Sequence, residues 1–146
     1  MACDFTVLFD DRLHFGGHPG YFDDETIYPA QCLGPGVTFV GADKTILFDT
    51  PNVDLKESAI LLYQSFDVTM PRNVIKLNDV DIPGGIPVDP SRCEWKSNQS
   101  ILAPGYLVKD RTNMLYLEAR GESADSETSR DNFLLTSAVI FYKTSK

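Results

Sequence analysis

The last third of the chain most constrains what it can fold into. Two strand-like segments, residues 113–119 and 132–142, enclose a polar spacer at 120–131 that has almost no apolar side chain to bury. Runs of aromatic, β-branched and leucine side chains bounded by polar turns favour strands over helices. The pattern predicts an all-β fold, an antiparallel β-sandwich, whose activity sits in its loops. The closing pair itself reads as core and edge, and the spacer as a surface loop carrying no site.

The rest of the chain agrees. Phe5-Thr6-Val7-Leu8-Phe9 opens as a short strand that stops at Asp10-Asp11. Residues 16–36 are dense in Gly and Pro, which supply turn dihedrals that other residues resist. They predict a long surface excursion with one short strand near Thr26-Ile27-Tyr28. Residues 37–40 and 45–48 flank Gly41-Ala42-Asp43-Lys44, the pattern of a hairpin with a four-residue turn. The central apolar run at 58–66 suits a buried strand; the alternative is a helix, with Asp54-Leu55-Lys56-Glu57 as its capping box. Asn78-Asp79 between 73–77 and 80–82 predicts a tight hairpin, because both residues tolerate the left-handed conformation. Three prolines bar residues 83–90 from a central strand and extend a second loop to Trp95. Short strands at 100–102 and 106–108 complete eight to ten strands in one domain of 146 residues.

Charge narrows the partners. Thirteen basic against 21 acidic residues give a net −8, and the cations are scattered rather than clustered. Such a chain repels a phosphate backbone, so no nucleic-acid partner is expected. No apolar run reaches the ~20 residues a membrane-spanning helix needs, and the start lacks a signal-like pattern, so no membrane association is expected. Cys3, Cys32 and Cys93 are odd in number and widely spaced. The default is a cytoplasmic protein with reduced thiols; the alternative is an exported chain with one bridge and a free thiol. Asn98-Gln99-Ser100 matches a glycosylation acceptor, which has meaning only with export.

Several residues invite a chemical reading. His14 and His18 are four apart, but Gly16-Gly17 and Pro19 forbid the helix that would align them as metal ligands. A loop metal site with Asp10 and Asp11 is the sharper reading and surface turn residues the plainer one. Asp23-Asp24-Glu25 lacks the alternating spacing of a calcium loop and reads as a solvated acidic turn. Asp79 and Asp81 read as hairpin residues. Trp95 is the sole tryptophan, set among Arg92, Glu94, Lys96 and Asn98. An exposed indole stacks on a sugar face while arginine, asparagine and acidic side chains bond its hydroxyls. Trp95, Arg92, Glu94 and Asn98 are therefore the candidate ligand-binding set; a tryptophan capping the core is the competing account. No nucleophile motif, phosphate-cradling loop, metal site or cofactor signature is present, so nothing supports an enzyme.

The order of the second half resembles the galactose-binding-domain-like jelly-roll superfamily. The segment 73–77 ending at Asn78-Asp79, the turn Asp110-Arg111-Thr112-Asn113 before residues 114–119, and the opening Asp131-Asn132-Phe133 carry that resemblance over about residues 58–142. Thr112 stands where such modules often have Gly, and no residue pattern transfers the family's sugar or calcium site. The resemblance implies a non-catalytic binding module. The expectation is a carbohydrate or similar polar ligand held by loops at the sandwich end. A structural protein that forms homo-oligomers or docks to a protein partner is the alternative, and a hydrolase using loop carboxylates ranks last.

Overall fold

The computed structural model describes residues 2–121 and 129–145, and they build two packed sheets. Ten strands follow in order: β1 (Ala2–Phe9), β2 (Arg12–Phe15), β3 (Val37–Gly41), β4 (Asp43–Phe48), β5 (Ala59–Phe66), β6 (Val74–Leu77), β7 (Val80–Asp81), β8 (Lys96–Leu102), β9 (Asn113–Glu118) and β10 (Phe133–Thr144). One short helix, α1 (Ala30–Leu33), lies between β2 and β3. The larger sheet has the order β3-β2-β10-β5-β8, with β1 also paired to β10; the smaller is β4-β9-β6-β7. All pairings are antiparallel except β2 with β3. The expected all-β sandwich is the observed architecture.

Period-two alternation assigns the inner faces. Ala59, Leu61 and Tyr63 of β5 point into the core with Leu115 and Leu117 of β9, Ile75 and Leu77 of β6, and Ile46 and Phe48 of β4. Ile60, Met114 and Leu47 point outward. The run at 58–66 is thus a strand: neighbours on both edges fill its backbone hydrogen bonds, which outweighs its helical propensity. Asn78 and Asp79 both have positive φ, 49° and 68°, as a two-residue type I′ hairpin requires.

The closing segments do not pair with each other. β9 lies in the smaller sheet and β10 is the central strand of the larger one, so β10 is core rather than edge. Its early residues Phe133, Leu134 and Leu135 are each 0% exposed, which means both faces of the strand are covered. A bulge between Thr136 and Val139, with Ser137 at φ 54°, then shifts its alternation. The expected hairpin at 37–48 is also absent. Gly41, at φ 90°, turns a corner that sends β3 into the larger sheet and β4 into the smaller. The excursion at 16–36 carries α1 instead of a strand, residues 106–108 form a bend instead of a strand, and β8 begins at Lys96, directly after the expected loop and four residues before the expected strand at 100–102. Most of the 120–131 spacer, residues 122–128, lies outside the described residues.

Two buried polar side chains, Asn113 and Asp131, and the half-buried Asn78 fasten the connections. Asn113, 0% exposed, accepts bonds at Oδ1 from Asn78 Nδ2 and from the Val108 N–H, both at 2.9 Å. Its Nδ2 donates to Thr50 Oγ1 at 3.2 Å, and Asn78 Oδ1 accepts the Met114 N–H at 2.9 Å. Asp131 accepts from the Thr69 N–H at 3.0 Å, Thr69 Oγ1 at 2.7 Å, the Met70 N–H at 3.1 Å and Asn73 Nδ2 at 2.8 Å. Each such bond contributes only ~1 kcal/mol net, but a buried partner left without one costs more. Replacing Asn113 with Ala strands buried groups of the β6–β7 turn and the β8–β9 connection. Urea unfolding should show a loss of about 2–4 kcal/mol, with a lower midpoint and an unchanged slope.

Candidate functional site

The outer face of the larger sheet organises the region that the Gly/Pro-rich loops occupy. One row of that face runs Phe39–His14–Leu134–Phe66 across β3, β2, β10 and β5. The excursion folds over it: Phe22, Tyr28, Cys32 and Leu33 bury against Phe66 and Leu134, with Tyr21, Val37 and Trp95 at the margin. The aromatic rings meet edge to face or tilted, Phe22 with Tyr28 at 4.8 Å and Phe66 with Trp95 at 5.2 Å, separations at which ring quadrupoles attract. Gly16 permits the fold-back, since a Cβ there would overlap the Asn132 side chain.

A disulfide clamps this layer. Cys32 in α1 is bonded to Cys93 in the second loop, while Cys3 is free and exposed. The expectation of three reduced thiols is therefore corrected, and the arrangement is one bridge plus a free thiol. Widely separated cysteines meet because the aromatic layer brings α1 against the segment before β8. Among the described residues no helix is long and apolar enough to cross a membrane.

Against the clamp lies an open cleft of about 490 Å³, lined by Tyr21, Tyr28, Asp67, Thr69, Pro90, Ser91 and Arg92. Asp67 is 4% exposed and sits at φ 56°, immediately after the last residue of β5. A left-handed conformation in a residue with a side chain stores strain and clusters at ligand sites. Its Oδ2 accepts the Tyr28 hydroxyl at 2.5 Å and its Oδ1 the Ser91 N–H at 3.1 Å. Burial pushes the Asp67 carboxyl above the usual carboxylate range, against the pull of those bonds. Burial, and then the bond to Asp67, holds the Tyr28 phenol protonated. Arg92 is exposed and supplies the positive charge facing Asp67.

The structure separates the four residues of the expected ligand set. Arg92 lines the cleft. Trp95 is half-buried: its indole N–H donates to the Cys32 carbonyl at 2.9 Å and its ring packs on Phe66. Glu94 is exposed and contributes a backbone N–H to Ser91 Oγ at 2.8 Å. Asn98 belongs to β8, is buried, and donates to Ser65 Oγ at 2.9 Å. Tyr21, Tyr28 and Asp67 were missed in the sequence. The available signals were two tyrosines in a Gly/Pro-rich excursion and an acid directly after a buried strand.

The histidines are not turn residues on the surface in equal measure. His14, 2% exposed, lies in β2, and its Nε2 donates to Asn132 Oδ1 at 3.0 Å, edge-on to Phe22 and Phe39. Among the described residues no group of three or more His, Cys, Asp and Glu side chains is placed to hold a metal ion. Compared with known proteins, the chain matches no family model and no curated sequence.

Reducing the bridge, or replacing Cys32 and Cys93 with Ser, should release the excursion before the sandwich. The chain-entropy effect of closing a 61-residue separation is on the order of 4 kcal/mol. Limited proteolysis is expected to cut within 16–36 first, together with a lower melting temperature. His14 sets a pH dependence. Burial lowers its pKa from 6.5, so the unfolded chain binds the proton more readily. Stability is complete above about pH 6.5 and falls as pH drops through the folded-state value. Calorimetry from about pH 7 to about pH 5 should show this decline, and His14→Gln should flatten it.

Proposed function

We propose that the protein is a non-enzymatic binding module that holds a carbohydrate or similar polar ligand in the cleft between its two Gly/Pro-rich loops. The observation that carries this reading is the convergence there of tyrosine rings, the Arg92 guanidinium and the buried Asp67 carboxyl. A ring face suits the apolar side of a pyranose, and flanking donors and acceptors suit its hydroxyls. Tyr21, half-buried at the margin of the aromatic layer, is the stacking surface. Arg92 donates, and Ser91 and Thr69 supply further hydroxyls. Trp95 backs the aromatic layer that carries the tyrosines instead of touching the ligand. The galactose-binding-domain-like superfamily is the proposed kinship, supported by the Asn78-Asp79 turn and the anchoring of Asp131. An oxidising compartment suits the Cys32–Cys93 bridge.

Glycan-array screening tests the proposal. Wild type should bind a restricted set of glycans, and Arg92→Ala and Tyr21→Ala should each weaken binding at least about tenfold, roughly 1.4 kcal/mol. Both side chains are partly or wholly solvent-facing, so their melting temperatures should stay close to wild type. A wild-type protein that binds no glycan on the array removes the idea.

A further inference from the structure

The outer face of the larger sheet is covered over one half and bare over the other. β5 alternates without interruption, so Phe66, Leu62 and Ile60 share that face. The excursion covers Phe66. At the other end a row of directly paired residues, Phe5–Phe141–Ile60–Ile101, crosses β1, β10, β5 and β8, and none of the described segments buries it. Phe5 and Phe141 are 57% and 41% exposed, with ring centroids 5.9 Å apart. Ile60 is 36% and Ile101 66% exposed. The next row, Val7–Val139–Leu62–Gln99, is also uncharged, and a groove of about 240 Å³ runs beside Leu62, Val139 and Phe141.

We propose that this face is the interface through which two copies of the chain pack sheet against sheet. Area is the first support. The two phenylalanines leave on the order of 200 Å² of ring open, and the aliphatic residues raise the patch to roughly 400–500 Å², the upper end for a monomer. A standard interface takes about 800 Å² from each partner, and in homodimers about 65% of it is apolar. The patch supplies most of that apolar share. Charge is the second support. The chain carries −8, yet two adjacent rows of this face hold no charged residue. Lys143, the next outward residue on β10, is paired with Glu57 at 3.5 Å. Depletion of charge at the centre with a polar margin is the composition of an interface. An uncharged face also carries no complement for a basic partner, and it is where two acidic copies meet with least repulsion. The inference uses no residue of the cleft and stands apart from the ligand proposal.

Sedimentation velocity decides it, at concentrations up to about 100 µM, which reveals dissociation constants into the micromolar range. Wild type should be a dimer. Phe5→Asp and Ile101→Asp, on strands with two others between them, should each weaken association at least about a hundredfold, with the circular dichroism spectrum unchanged. Leu47→Asp, which alters an equally apolar residue on the smaller sheet (64% exposed), should leave the dimer intact. Raising salt from about 20 mM to about 150 mM should strengthen association by screening the net charge. A strictly monomeric wild type, a dimer indifferent to Phe5→Asp and Ile101→Asp, or a dimer that salt dissociates would overturn the proposal.

Discussion

Strand β10 has two apolar faces, and each must be covered. Phe133 and Leu135 point into the sandwich while Leu134 points the other way, and all three are fully buried. A two-layer sandwich covers only one face of each sheet. The other side of β10 is satisfied by the excursion at 16–36, which brings Phe22, Tyr28 and Leu33 onto Leu134 and Phe66. Burying large apolar side chains of this kind contributes about 1.5–3 kcal/mol each. That is enough to order a Gly/Pro-rich segment whose own backbone forms little regular structure. The cleft is a consequence of this layer, because Tyr28 reaches Asp67, and Tyr21 lines the cleft beside them, only when the excursion lies on the sheet.

The disulfide follows from the same cause and reinforces it. α1 is four residues long and has no side-chain cap at its N-terminus, so it has little stability of its own. Packing of Leu33 and the bond from the Trp95 indole to the Cys32 carbonyl hold it beside the loop that carries Cys93. Asp131 and Asn132 extend the anchoring. Asp131 gathers the backbone after β5, and Asn132 joins His14 to the His18 N–H, tying the end of the spacer to the start of the excursion. Two adjacent polar residues before β10 thus fix the chain as it leaves β5 and the start of the excursion.

The all-β class was legible because alternation and turn chemistry are local. Asn78-Asp79 between two short strands declares itself within a few residues, whereas the unbroken apolar run at 58–66 needed its neighbours on both edges to decide between strand and helix. Strand partners were not legible. Val37-Thr38-Phe39-Val40 and Thr45-Ile46-Leu47-Phe48 have the composition of a hairpin, but Gly41 is free to turn a corner, and the choice between corner and hairpin depends on β2 and β9 waiting in different sheets. The site was half legible for a similar reason. Arg92 stood out as a charge in a loop, whereas Asp67 is a single acid after a buried strand, with no local pattern to mark its partners. Its role comes from Tyr28, 39 residues earlier, and from the Ser91 N–H, 24 residues later. Trp95 misled because an indole in a polar loop has the same composition whether it meets solvent or a second hydrophobic cluster.

The bulge at Ser137 explains why one face of one sheet behaves in two ways. Without it, Leu134 and Val139 would lie on opposite sides of β10. With it, the strand keeps an apolar residue outward at both ends, and β5 supplies Phe66 and Ile60 to match. The excursion starts from β2, which borders only the Phe133–Leu135 half of β10, and returns through β3, which lies on the far side of β2. Its cover is therefore confined to that half, and β1 borders the rest with Phe5 and Val7 facing out. A chain that needed only solubility would place polar side chains on those outward positions, because each is free of any packing demand from the core. Seven apolar residues and one glutamine over two adjacent rows, in a protein otherwise rich in acid, are the composition that the proposed packing of two copies requires of the bare half.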